Sequence, residues 1–176
     1  MNPLFSSWTA VALFARIKPI MSPKVHYIPE GFRALTPYLI IQGAARAIEF
    51  YQQAFGAHEL LRMPMPDGKL AHAEIEISDS RFMLADENPE FPARSPLSYG
   101  GTPVTLCLYV EDCDAVFARA VSLGAKTVRP LQDQFYGDRS GTLVDPFGHI
   151  WTIGTHKEDL SPEETQKRAD ALFGTK

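Results

Sequence analysis

The alternation of hydrophobic and polar positions predicts the same series of elements twice along the chain. In the first series, the apolar run 36–41 predicts a strand, and segment 44–55 places apolar residues three and four positions apart, as on one face of a helix. Gly56 is a typical helix end. Three further strands are predicted at 58–63, 70–77 and 81–85, with a turn at Pro66-Asp67-Gly68 between the first two.

The second series begins with a strand predicted at 104–110. Asp112 or Asp114 can cap the helix that follows, and Gly124 ends it. Strands are then predicted at 126–131, 139–144 and 149–155, the last two joined by the turn Asp145-Pro146-Phe147-Gly148. Because Phe55-Gly56-Ala57 recurs as Leu123-Gly124-Ala125 at the same place in its series, the chain is predicted to be a duplicated βαβββ unit.

The bounds of these two units define the predicted domain organisation of the chain. Modules at 34–86 and 102–156 form one predicted domain, and segment 87–101, rich in Pro, Gly and Ser, is predicted to be a linker. Residues 157–176 are predicted to form a C-terminal helical tail, because Ser161 and Glu164 have the spacing of a capping box. Residues 1–33 are interpreted as a leader or a mobile N-terminal segment, whose apolar run 8–15 is too short to span a membrane.

Charge and cysteine content limit which classes of binding partner and which cellular compartment are expected. The 176 residues include 17 Lys and Arg and 21 Asp and Glu, so the formal net charge is −4. This acidic balance argues against nucleic acid as a partner, because a protein needs a basic face to bind its phosphates. No membrane partner is expected. The two cysteines, Cys107 and Cys113, have the spacing of neither a disulfide scaffold nor a zinc site, which favours a reducing, cytoplasmic location.

Several short motifs occur in a specific order. They are Ala47-Ile48-Glu49-Phe50-Tyr51, Pro66-Asp67-Gly68, His72-Ala73-Glu74, the run 133–139 (DQFYGDR) and Asp145-Pro146-Phe147-Gly148-His149. Together with the paired repeat, they resemble the vicinal oxygen chelate superfamily, which includes glyoxalase I, bleomycin-resistance proteins and extradiol dioxygenases, and within it the PhnB-like branch. The resemblance implies an α+β fold in which two paired βαβββ modules form an open, U-shaped barrel around one cavity, with the helices outside.

Glyoxalase-like members of that superfamily hold a divalent metal with one side chain from the first strand and one from the last strand of each module. Counted from the helix-end glycines and the late turn, these four places fall at Thr36, Leu84, Thr105 and Thr152. A neutral hydroxyl is a poor ligand for a divalent transition metal, and leucine is none. We therefore expect no metal site, and no other cofactor is indicated.

Polar residues on the third predicted strand are the candidate catalytic groups. Ile75 and Ile77 alternate with Glu74 and Glu76, so when the isoleucines pack against a helix, His72 and Glu74 face the cavity. An imidazole and a carboxylate two residues apart on one strand can share a substrate proton. The alternative is that this row is only a solvated strand face.

Five residues are candidates for ligand binding: Tyr38, Tyr109, Phe135, Asp138 and Arg139. The aromatic rings could stack on a flat ligand or serve packing alone. The repeat places Asp138 opposite His72. Arg139 either clamps a carboxylate or phosphonate-like group or forms a structural ion pair with Asp133 or Asp138.

Three further residues could have either a functional or a purely structural role. Cys107 lies in the middle of a strand with no base beside it, so it is expected to be a small buried side chain. Trp151 is expected in the core. His149 follows the late turn, where it either holds the hairpin by a hydrogen bond or takes part in catalysis.

The favoured function is binding of a small aromatic or amphipathic molecule without the glyoxalase metal site, as the resemblance to metal-free bleomycin-resistance members implies. The alternative is a lyase or isomerase in which Glu74 is the general base and His72 orients it, or in which both hold a metal. Whether the chain is an enzyme stays open at this point. A homodimer is expected, because a second copy can cover open sheet edges and many superfamily members dimerise.

Overall fold

The first module contains one helix packed on a four-stranded sheet in a computed structural model that describes residues 25–174. Its elements are β1 (Tyr38–Ile41), α1 (Ala44–Phe55), β2 (His58–Pro64), β3 (Leu70–Ile77) and β4 (Ser80–Asp86). The strand order is β1-β4-β3-β2, with β1 parallel to β4 and the other neighbours antiparallel. The first 24 residues of the interpreted leader lie outside the described residues.

The segment between the modules is not wholly irregular. It contains a short helix, α2 (Pro96–Tyr99), which begins after Ser95, whose side chain accepts a hydrogen bond from the Ser98 N–H. A serine N-cap followed by proline at the first helical position is a strong helix start. This local signal within the predicted linker explains why the structure differs there from a plain loop.

The second module repeats the first. Its elements are β5 (Thr105–Tyr109), α3 (Cys113–Ser122), β6 (Lys126–Asp133), β7 (Asp138–Val144) and β8 (Ile150–His156), in the order β5-β8-β7-β6. Asp112 caps α3, because its carboxylate accepts a hydrogen bond from the Ala115 N–H at 3.0 Å. The predicted α+β fold of two βαβββ modules is confirmed, and the two sheets stay open rather than closing into a barrel.

The helix of the first module is set in place by one carboxylate. Asp86, at the end of β4, accepts hydrogen bonds from the Gly43 and Ala44 N–H groups at 2.7 and 3.0 Å, and also from the Leu70 N–H at 2.8 Å. A negative charge is favourable at a helix N-terminus. Asp86 therefore joins the starts of α1 and β3 to the end of β4.

The hydrophobic core is shared between the modules. Trp151 of β8 packs against Phe55 of α1, with ring centroids 4.8 Å apart, and both side chains are buried. The apolar faces of both sheets turn toward α1 and α3, where the core lies. The opposite faces of the sheets carry the polar candidates described below.

The C-terminal helix α4 (Pro162–Phe173) lies at the surface. It starts after Ser161, whose hydroxyl accepts a hydrogen bond from the Glu164 N–H, and it buries no side chain. An ion pair of 2.9 Å joins Arg168, in the middle of the helix, to Glu158, and the ring of Phe173, at its C-terminal end, contacts Phe135. In residues 25–174, no helix is long and apolar enough to cross a membrane.

Candidate functional site

The face of the first sheet turned away from α1 carries the candidate catalytic residues, and we name it the first-sheet face. Along β3, Ala73, Ile75 and Ile77 are buried toward the helix, whereas His72 and Glu74 are half-buried on the opposite side. The register pairs Glu74 with Met83 of β4, and Met83 with Tyr38 of β1. The expected alternation of β3 is therefore observed, and it brings a tyrosine beside the two polar groups.

Tyr38, His72 and Glu74 form a chain of polar contacts across the first-sheet face. The Tyr38 hydroxyl lies 3.1 Å from His72 Nδ1, and His72 Nε2 lies 3.4 Å from Glu74 Oε1. With its proton on Nε2, the neutral imidazole donates to the carboxylate and accepts from the phenol. This arrangement can orient His72 and can pass a proton between a bound molecule and Glu74.

A cavity of about 570 Å³ opens beside the contacts between Tyr38, His72 and Glu74. Its walls are Tyr38 and Ile40 of β1, Ala71 of β3 and, from the linker, Phe91 and Pro92. These walls are mostly apolar. The Asp86 carboxylate also borders the cavity, but backbone N–H groups already occupy both of its oxygens. The cavity therefore suits the apolar body of a small molecule, and the first module and the linker line it without the second module.

The corresponding face of the second sheet carries a second polar network. The Tyr109 hydroxyl donates to Asp138 Oδ2 at 2.8 Å. His156 Nδ1 lies 2.7 Å from Asp138 Oδ1, and His156 Nε2 lies 3.0 Å from Asp159 Oδ1. Asp138 is buried, whereas much of Tyr109 and His156 is exposed. Both imidazole nitrogens face carboxylate oxygens, an arrangement that favours the protonated form of the ring.

Asp138 shifts the titration of both neighbours. Its hydrogen bond, followed by burial, raises the pKa of Tyr109 to about 12. Hydrogen bonds to Asp138 and then to Asp159 raise the pKa of His156 above its ordinary value. Sequence reasoning did not identify His156. The signal that could have found it is the alternation of β8, in which Thr152, Gly154 and His156 share a face.

Two of the predicted ligand-binding residues lie apart from both networks. The Arg139 guanidinium makes a two-pronged ion pair with Asp114 of α3, with both hydrogen bonds at 2.7 Å, and also contacts Asp133 at 3.3 Å. It therefore points to the helix side of the second sheet, opposite Asp138. Phe135 packs against the ring of Phe173 in α4.

Most of the chain matches one known protein family. A model of the Glyoxalase/Bleomycin resistance protein/Dioxygenase superfamily matches residues 33–153. The chain belongs to this superfamily. A protein of Mycobacterium bovis is 47% identical over 136 residues, which cover 76% of this chain and 90% of that protein.

Solved structures of other proteins share the fold. TioX from Micromonospora sp. ML1 is 26% identical, with a TM-score of 0.56 over 73% of this chain and all of TioX. A PhnB protein from Bacillus cereus has the same TM-score at 20% identity, over 70% of this chain and 99% of that protein. The second likeness concerns the fold alone.

The four positions expected from the resemblance to correspond to glyoxalase metal ligands hold Thr36, Leu84, Thr105 and Thr152. The Thr36 hydroxyl donates to the Arg33 carbonyl oxygen, and the Thr152 hydroxyl lies 3.2 Å from that of Thr142. The expected position at Leu84 is wrong, because Leu84 is fully buried on the side of the sheet that faces α1. On the other side of β4 lie Met83, which pairs with Glu74, and Ala85, which lines the cavity. Within the part of the chain that the structure describes, no three His, Cys, Asp or Glu side chains are grouped to hold a metal ion.

The structure places Cys107, Trp151 and His149 in different surroundings. Cys107 is exposed, so the expected burial is wrong, because Leu106 and Leu108 take the apolar side of β5. Trp151 is buried, as expected. His149 is also buried, and its backbone N–H, rather than its ring, donates to the Asp145 carboxylate that organises the hairpin.

Proposed function

We propose that this protein binds a small, largely apolar molecule in the cavity of about 570 Å³ on the first-sheet face, which we name the first-sheet cavity, and that glyoxalase metal chemistry is not its activity. The observation that carries the proposal is the cavity of about 570 Å³ between Tyr38, Ile40 and Phe91. Its volume lies within the ordinary range of about 300–1,000 Å³ for small-molecule sites. Two aromatic side chains at its walls favour a flat ligand.

The chemistry of the family positions supports the same proposal. Thr36, Thr105 and Thr152 offer only neutral hydroxyls, and those of Thr36 and Thr152 are already in contact with protein oxygens. Neutral hydroxyls bind divalent transition metals weakly. The superfamily name includes bleomycin resistance proteins, so binding without turnover is compatible with membership.

A thermal-shift screen tests the proposal. Aromatic metabolites, glycopeptides and phosphonates are added to the full chain. A ligand at 100 times its dissociation constant raises the free energy of unfolding by about 2.7 kcal/mol, which the shift in melting temperature reports. Ala71→Trp would fill the cavity from β3 and abolish the shift. Thr127→Trp, at an exposed position of β6, is the matched control and retains it. Equal shifts in wild type and Ala71→Trp would refute the cavity as the site.

The second candidate function is a lyase or isomerase, favoured by the contact chain from Tyr38 through His72 to Glu74. In this scheme, Glu74 accepts a substrate proton and His72 orients the carboxylate. Glu74→Gln keeps the shape and removes the base, so turnover of a ligand from the screen would fall by about 10²–10⁴ with binding nearly unchanged. For a binder, no turnover occurs in wild type, and Glu74→Gln changes affinity little.

We also propose a homodimer. Leu61 and Met63 of β2 lie beside Glu74 and His72 in the register, and 42% and 50% of their surfaces are exposed. Apolar side chains in a row at an outer strand are typical of a surface covered by a partner.

The exposed free thiol of Cys107 supports a reducing compartment, for which we propose the cytoplasm.

A further inference from the structure

A second cavity, of about 320 Å³, lies where the two modules meet, and we name it the junction cavity. Ile40 of β1 forms one side and Leu106 of β5 the other, while Pro96 and Tyr99 of the linker lie over it. His149, just before β8, completes the lining. The walls are mainly apolar, so a polar group among them is a specific feature.

His149 has an unmet hydrogen-bonding requirement at this cavity. Only 8% of its surface is exposed, and its Nε2 atom has no hydrogen-bond partner among the described residues. Burial lowers the pKa of His149, although the Asp145 carboxylate and the Ile40 backbone act in the opposite direction. The ring is therefore neutral near pH 7. An unpartnered buried polar atom costs stability, which a bound molecule with a complementary group would restore.

A cation borders the same cavity. Arg94 of the linker is exposed, lines the junction cavity, and has no acidic partner in residues 25–174. The carboxylate of Glu87 lies near it but accepts hydrogen bonds from Gln42 and Ser98. The Arg94 guanidinium is thus available to a carboxylate from outside the protein.

We propose that the junction cavity is a second binding site, which takes a small aromatic carboxylate with a hydroxyl group on its ring. The ring of such a molecule would lie between Ile40 and Leu106, and its carboxylate would pair with Arg94. Its hydroxyl group would donate to His149 Nε2, which a small shift of the buried imidazole would bring to the cavity surface. The neutral imidazole presents Nε2 as an acceptor, because the Ile40 backbone interacts with the ring through its other nitrogen. The site shares Tyr38 and Ile40 of β1 with the first-sheet cavity, but its polar contacts come from Arg94 and His149.

Calorimetric titration of the full chain with para-hydroxybenzoate tests this site, with para-hydroxybenzamide as the neutral analogue. We expect saturable hydroxybenzoate binding, weaker by about tenfold for the amide, since a charged hydrogen bond contributes that much. Arg94→Gln, at an exposed position, should lower hydroxybenzoate affinity about tenfold and abolish the preference over the amide. His149→Met should also weaken binding about tenfold, and His149→Gln, which keeps a polar atom near Nε2, should restore part of it.

Phe91→Ala separates this site from the first-sheet cavity. It removes a wall of that cavity only, so hydroxybenzoate affinity should stay unchanged. Loss of binding in Phe91→Ala would place hydroxybenzoate in the first-sheet cavity and overturn the inference. Absence of saturable binding to wild type, or unchanged affinity in Arg94→Gln, would also overturn it. The Arg94 result decides the matter if His149→Met does not fold.

Discussion

The phenol of Tyr51, in the helix of the first module, donates a hydrogen bond to the Asp145 carboxylate of the second module at 2.8 Å. The same carboxylate oxygen accepts from Trp151 Nε1 at 2.9 Å, and the other oxygen accepts the N–H groups of Phe147 and His149. Burial, and then the charge of Asp145, raises the pKa of Tyr51 well above its ordinary value. One buried carboxylate therefore organises the late turn and joins the two modules.

Tyr51→Phe tests this connection. The change removes a buried hydrogen bond to a charged acceptor, so the free energy of unfolding should fall by about 2 kcal/mol. Tyr99→Phe is the matched control, because its exposed hydroxyl only approaches the Pro92 carbonyl oxygen at 3.4 Å, and it should change stability by less than about 0.5 kcal/mol. Urea denaturation measures both variants. Equal stability of Tyr51→Phe and wild type would show that Asp145 does not depend on this donor.

Metal content is the second prediction. Protein purified without chelator should carry far less than one transition-metal ion per chain, because Thr36, Thr105 and Thr152 offer only neutral hydroxyls. Elemental analysis measures this directly. A result near one zinc, nickel or manganese ion per chain contradicts it. In that case His72→Ala should release the ion, since His72 and Glu74 are the nearest pair of good donors on the first-sheet face.

The titration of His156 is the third prediction. Its pKa in the fold is raised by Asp138 and Asp159, so its stabilising contribution is fully present below the ordinary value of about 6.5 and is lost as pH rises through the raised value. Asp159→Asn removes one carboxylate and should move the pKa of His156 downward, as NMR titration of the imidazole would record. A pKa that does not respond to Asp159→Asn would argue against the contact.

The oligomeric state is the fourth prediction. A homodimer should scatter light with about twice the 19.6 kDa mass of one chain. Leu61→Glu, on the exposed apolar row of β2, should shift the mass toward the monomer, because it would bury a charge in the interface. A wild-type mass near that of a single chain, at micromolar concentration, is the contrary result.

Local pattern was sufficient to predict much of the fold. The alternation of Ala73, Ile75 and Ile77 with His72 and Glu74 predicted which side of β3 faces the helix. The strand predicted from residue 36 begins at Tyr38 instead, because Pro37 has no N–H to give to a sheet. The same alternation, applied to Leu106 and Leu108, would have predicted the exposure of Cys107.

Contacts between distant residues could not be predicted from the sequence. His156 meets Asp138 because β7 and β8 pair in one register, and a slip by one residue would separate them. Arg139 pairs with Asp114, which lies 25 residues away on α3, as well as with the expected Asp133. The walls of the first-sheet cavity depend on how the linker folds back, which composition alone does not determine.

The most direct test of small-molecule binding is a crystal structure of the full chain with the strongest compound from the thermal-shift screen. We predict that the compound lies in the first-sheet cavity, in contact with Tyr38, Ile40 and Phe91, and within one bridging water of His72 or Glu74. A compound bound outside this cavity, and farther than one bridging water from both His72 and Glu74, would contradict the assignment of the site.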